Sequence, residues 1–109
     1  MTHPDRTELM AREIAHKAAE FIVMHSNKQS LITVLRANIS PDFANATIYV
    51  SVLPEEQEGP ALDFLKRSRR DFRDWIAHEM RLKRLPTFDF ALDFGEKNRQ
   101  EVEKVPTKR

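Results

Sequence analysis

The segment ALDFLKRSRRDFRDWIAHEMRLKR, residues 61–84, decides how the rest of the chain is read. On a helical wheel at about 100° per residue with Ala61 at zero, Leu62, Phe64, Leu65, Ser68, Phe72, Trp75, Ile76, Met80 and Leu82 fall within an arc of about 160°. Lys66, Arg70, Arg73, Arg81 and Arg84 fall in a narrow band beyond the edge of that arc. The spacing therefore predicts one helical phase across the whole segment, with a basic stripe away from the buried face. A straight helix of these 24 residues would be ~36 Å long, more than neighbouring strands of ~25 Å cover. A break is expected near Ser68-Arg69-Arg70, giving two helices.

Upstream of this segment, Pro54 to Pro60 is acidic, contains one glycine and reads as a loop, with Pro60 at or near the start of the next helix, where a missing N–H costs nothing. Before it, Ala46, Ile48, Val50 and Val52 alternate with Thr47, Tyr49 and Ser51, the pattern of a half-buried strand. Ser40-Pro41-Asp42 is a chain break, because proline sets φ and cannot donate to a ladder. Leu31-Ile32-Thr33-Val34-Leu35, running to Ile39, is the antiparallel partner of that strand. Leu9, Met10, Ile14, Ala18, Phe21 and Ile22 recur at helical spacing, which predicts a helix over residues 6–25, capped by Asp5 and ended by Ser26-Asn27. Downstream, Pro86 stops helix. Phe88, Phe90, Leu92 and Phe94 then alternate with Thr87, Asp89, Ala91 and Asp93 as a strand that Gly95 closes. Residues 96–109 read as a charged tail with a helical turn around Glu101 to Lys104. Helix, strand, strand, helix, helix, strand is an α+β order in which three strands covered on one face by three helices bury every apolar stripe. Residues 1–95 form the expected domain.

A chain of 109 residues, 40% apolar and 32% charged, has the composition of one globular domain. Its longest apolar run, Phe21-Ile22-Val23-Met24, is far short of the ~20 residues that cross a bilayer. No secretory signal is expected, and the lack of cysteine suits a reducing cytosol. The net charge of +1 hides an uneven distribution. Residues 54–63 carry Glu55, Glu56, Glu58 and Asp63 with no base. Residues 64–84 carry eight bases (Lys66, Arg67, Arg69, Arg70, Arg73, Arg81, Lys83 and Arg84) against Asp71, Asp74 and Glu79, a local excess of five. Such a field attracts polyanions over about a Debye length, roughly 8–10 Å. Pairs at i,i+4 (Arg67–Asp71, Arg70–Asp74, Glu79–Lys83) would neutralise part of it.

Catalytic and metal chemistry find little footing. Asp89 and Asp93 share a strand face but stand about 13 Å apart, too far to share a proton. His78-Glu79 begins a zinc-helix pattern whose second histidine is replaced by Leu82. His16 and His25 lie on opposite sides of a helix. There is no nucleophile elbow and no glycine-rich phosphate loop. No catalytic residue, metal or cofactor is expected. Trp75 and the phenylalanines point inward by phase, leaving Tyr49 as the aromatic on a polar strand face.

The element order is that of type II KH domains, and the residues allow a closer comparison. Ser40-Pro41-Asp42-Phe43-Ala44-Asn45-Ala46, running into Ile48-Tyr49-Val50-Ser51-Val52-Leu53, resembles the "Asp, apolar, x, x, Ala, x, Val, Tyr, Val" segment of bacterial ribosome-binding factor A. Arg73, then Met80-Arg81-Leu82-Lys83-Arg84-Leu85-Pro86 leading to Phe88, Phe90 and Asp93, is similar to that family's arginine, "Leu-Arg, x, x, Pro" and last strand. The resemblance covers roughly residues 6–95. It implies a type II KH-like αββααβ fold with a three-stranded mixed sheet and helices on one face. It also implies a monomeric, non-enzymatic, cytoplasmic assembly factor, one that binds the 30S subunit and its 16S rRNA late in maturation and supports processing of the rRNA 5′ end. The family usually carries Ala-x-Gly at the helix–helix kink, where this chain has Ser68-Arg69-Arg70. A backbone nest for phosphate is therefore not expected, and RNA contact would fall to the side chains of Lys66, Arg67, Arg69, Arg70, Arg73, Arg81, Lys83 and Arg84. The rival reading is a protein-binding module with an acidic partner.

Overall fold

The structure is a computed structural model that describes residues 6–26 and 28–93. Helix α1 (Arg6–His25) forms where the sequence predicts it, and Ile14, Ala18, Phe21 and Ile22 lie along its buried side. Leu9, counted with that stripe by spacing, is instead half exposed at 52%, because at about 100° per residue it falls on the opposite side of the helix from Ile14 and Ala18, while Met10 and Ala11 beside it pack against the core. Strands β1 (Leu31–Ile39) and β2 (Asn45–Leu53) pair antiparallel from Leu31↔Leu53 to Ile39↔Ala46. The pairing shifts by one between Val34 and Arg36, so Leu35 is an extra residue, a β-bulge. The bulge re-phases the strand. Ile32 and Val34 pack against the core before it, Ala37 and Ile39 after it, while Leu35 and Arg36 both face outward.

The β1–β2 connection is held by its own side chains. The Ser40 hydroxyl donates to Asp42 Oδ1 at 2.7 Å, and the Ala44 amide donates to the same oxygen at 3.0 Å. Asn45 N–H donates to Ser40 Oγ at 3.0 Å, and Phe43 takes a left-handed φ of 61° to complete the turn. The Ser40 hydroxyl first, then the Ala44 amide, holds the Asp42 carboxyl below its ordinary range.

Chain 54–86 crosses over to bring β3 (Thr87–Leu92) parallel to β2, from Asn45↔Thr87 to Val50↔Leu92. Parallel pairing requires a crossover of this kind, since a tight turn reverses direction. The sheet order is β1-β2-β3, mixed, with β2 central. The acidic stretch expected as a loop to Pro60 is shorter than that. A 3-10 turn at Glu55–Gln57 runs directly into α2 (Glu58–Arg67). Proline is tolerated in a first helical turn, and carboxylates there complement the helix dipole.

The break falls at Ser68, between α2 and α3 (Arg69–Met80). Ser68 has φ −89° and ψ 1°, a conformation open to any residue, so the kink forms without glycine. Its hydroxyl donates to the Phe64 carbonyl at 2.8 Å, and its carbonyl accepts from Phe72 N–H at 2.8 Å. The single helical phase expected as far as Arg84 does not survive. α3 stops at Met80, and Arg81 is left-handed at φ 52°, its N–H still bonded to the Ala77 carbonyl. The chain must turn there to deliver the buried Pro86 and then Thr87 to the start of β3. Leu82 is accordingly only half buried.

The core is aromatic at its centre. Phe72, fully buried, lies 5.1–5.6 Å from the rings of Phe21, Phe88 and Phe90 and 6.2 Å from Trp75. The inward reading of Trp75 and these phenylalanines therefore holds. The expected cap at Asp5, Asn27 at the end of α1, Phe94 and Gly95 at the end of β3, and the tail over 96–109 lie outside the described residues.

Candidate nucleic-acid interface

The eight cations of residues 64–84 sort into two kinds. Lys66 Nζ meets Asp89 Oδ1 at 2.8 Å, and Arg69 Nη1 reaches the same oxygen at 3.3 Å. Arg69 Nε also donates to the Lys66 carbonyl at 3.0 Å, tying the guanidinium across the kink. Asp89 comes from β3, an edge strand, so the end of α2 and the start of α3 are pinned to the sheet margin. Partial burial pushes the Asp89 carboxyl up, but the hydrogen bonds from Lys66 and the Phe90 amide outweigh it, and with the two positive charges leave it below its ordinary range. Lys66 and Arg69 are thus engaged within the molecule rather than presented freely.

Arg67, Arg70, Arg73, Arg81, Lys83 and Arg84 are all exposed, and among the described residues none of them forms an ion pair. The three i,i+4 pairs expected along this segment are not formed. Arg67 and Asp71 straddle the break at Ser68, so they do not sit on consecutive turns of one helix. Glu79 and Lys83 straddle the end of α3, and Glu79 is taken instead by Lys17 of α1 at 3.2 Å. That contact, the largest influence on it, raises the pKa of Lys17. Arg70 and Asp74 share α3 without pairing.

The early end of α3 divides the expected single ridge in two. Arg67, Arg70 and Arg73 cluster at the α2–α3 corner. Arg81, Lys83 and Arg84 occupy the turn leading to β3, about 16 Å along the helix axis from Arg70. Arg84 lies within electrostatic reach of Asp42 in the β1–β2 turn. Arg81, Lys83 and Arg84 thus lead into the start of β3, and the corner that carries Arg67, Arg70 and Arg73 is anchored at Asp89, which pairs with Thr47 in the first half of β2.

The remaining candidates separate in space. Among the described residues no group of three or more His, Asp or Glu side chains could hold a metal ion. Asp89 binds Lys66 and Arg69, whereas Asp93 binds the Arg36 guanidinium, so the two carboxylates serve different partners. Tyr49 faces the helix-free side of the sheet as expected, but Arg36 covers it, with the guanidinium carbon 4.2 Å from the ring centroid. Sequence reading missed this Asp93–Arg36–Tyr49 group. The bulge at Leu35 is what sets Arg36 opposite Tyr49, and no local pattern announces it.

Comparison with known proteins places this architecture. A family model described as ribosome-binding factor A matches residues 6–105. Ribosome-binding factor A of Bdellovibrio bacteriovorus is 29% identical over 103 residues, covering 92% of this chain and 77% of that one. The crystal structure of ribosome-binding factor A from Thermus thermophilus superposes with a TM-score of 0.70 at 26% identity, covering 81% of this chain and 97% of that one. A homology model of the Thermus thermophilus factor, fitted into a cryo-EM map of a 30S complex, matches with a TM-score of 0.66 at 28% identity over 73% of this chain and 87% of that one. With the αββααβ order, the mixed sheet and the kinked helix pair in place, the chain belongs to the ribosome-binding factor A family.

Proposed function

We propose that this chain is a non-catalytic assembly factor that binds the small (30S) ribosomal subunit in the cytoplasm. It docks on 16S rRNA late in maturation and supports processing of the rRNA 5′ end. The observation that carries this reading is the set of six exposed cations at residues 67–84, unpaired among the described residues, on a chain similar to a Thermus thermophilus factor whose homology model has been fitted into the map of a 30S complex. Arg67, Arg70, Arg73, Arg81, Lys83 and Arg84 meet phosphate oxygens, the arginines through their planar forks. Lys66 and Arg69, held by Asp89, add to the positive field and fix the kink rather than reach for the ligand. With Ser68-Arg69-Arg70 in place of a glycine nest, backbone does not cradle phosphate. Such contacts confer affinity and register and carry no base specificity.

The test is sedimentation of the full chain with purified small subunits. Charge reversal of Arg70, Arg73, Arg81 and Arg84 to Glu abolishes co-sedimentation. Retained binding with unchanged salt sensitivity overturns the assignment of this face. Displacement by an acidic protein but not by purified rRNA would favour a protein-binding module instead.

A further inference from the structure

The end of the sheet opposite the cations is apolar and acid-rimmed. Leu31 and Leu53 pair across β1 and β2 at the far end of the hairpin, yet they are 63% and 60% exposed. With Val23 of α1 (75% exposed) and Ile32 they line an open groove of about 480 Å³. Leu53 also forms a wall of an adjoining recess rimmed by Glu55 and Glu58, and Glu56 is exposed on the same 3-10 turn. Lys28 is the one cation lining the groove among the described residues. The two ends are separated by the length of β2, about 26 Å.

Resting on the assembly-factor reading above, we propose that this end is a second docking surface, for a protein component of the subunit rather than its RNA. The occupant is a basic polypeptide segment whose apolar side chains seat between Val23, Leu31 and Leu53, and whose Lys or Arg heads meet Glu56 and Glu58. Phosphate is repelled by this rim, whereas a cationic chain is drawn to it. Apolar side chains left this exposed and contiguous mark an interaction site in a small domain. A second copy presents the same acidic rim here, so a two-fold contact sets like charges together. The chain thus bridges two components of one particle, gripping nucleic acid at one end and polypeptide at the other.

The test places a photoreactive benzophenone amino acid in place of Leu53, or of Val23, in the full chain bound to purified small subunits. Both positions are exposed and tolerate the bulk. The expected adduct is a ribosomal protein cross-linked at a Lys/Arg-rich segment, with the same probe in place of Arg70 cross-linking RNA. Glu56→Gln with Glu58→Gln lowers the protein adduct by about threefold or more. Adducts only to RNA or to a second copy, no adduct at all, or a yield untouched by the two glutamines overturns the docking surface. If co-sedimentation persists in those cases, the assembly-factor reading stands. If the unmodified chain fails to sediment with subunits, both fall.

Discussion

Replacing Arg70, Arg73, Arg81 and Arg84 together by Gln tests whether the unpaired cations meet phosphate. All four are exposed and none is ion-paired among the described residues, so their removal leaves folding stability within about 1 kcal/mol. Each phosphate contact contributes between about 0.7 and 0.9 to the slope of log K against log salt, the values for single-stranded and duplex nucleic acid. Losing four contacts flattens the slope by about 3. Arg69→Gln is the internal control. Its guanidinium already serves Asp89 and the Lys66 carbonyl, so the slope changes by less than about 1. The assay is fluorescence anisotropy of the labelled chain titrated with small subunits at several potassium concentrations. A quadruple variant with the native slope, or Arg69→Gln flattening it as much as the quadruple, refutes the division of the eight cations into free and engaged.

Three further outcomes bear on the fold. Phe72→Ala empties the centre of the ring cluster and costs about 3–5 kcal/mol by chemical denaturation, a large share of a small domain's stability; a loss under about 1 kcal/mol removes Phe72 from that role. Deleting Leu35 removes the bulge while keeping Val34 and Ala37 inward and Arg36 opposite Tyr49, so the chain folds at a cost near about 1 kcal/mol; deleting Thr33, which flips the start of β1 to the wrong face, costs more. Acid titration followed by circular dichroism is the third. The Asp89 and Asp42 carboxyls lie below their ordinary range in the folded chain, so their stabilisation is present above the unfolded value and lost as pH falls through the folded one. Asp89→Asn therefore flattens the fall in stability below about pH 4, and an unchanged acid profile contradicts the Asp89 assignment.

Element type and order were legible because they rest on local periodicity. The alternation from Ala46 to Val52, the helical spacing of Ile14, Ala18, Phe21 and Ile22, and the length argument that broke residues 61–84 near Ser68 each need only a short window of chain. The cation block at 64–84 was legible for the same reason, as a matter of composition. What local pattern could not supply was the partner of each charge. Asp89 captures Lys66 and Arg69 from 23 and 20 residues away, and Asp93 captures Arg36 from 57. Helical i,i+4 spacing proposed different pairs, and the kink and the early helix end dissolved them.

By itself the chain's order of apolar and polar residues determined a layered α+β domain with an aromatic core and a positively charged crossover, since burial of one face per element leaves few other arrangements. Only the folded molecule decided where α3 stops, which face Arg36 takes, and which two of the eight cations Asp89 engages. Those outcomes depend on groups far apart in sequence meeting at set distances. They depend too on a backbone that admits one extra residue at Leu35 and a left-handed turn at Arg81 so that Thr87 arrives beside Asn45.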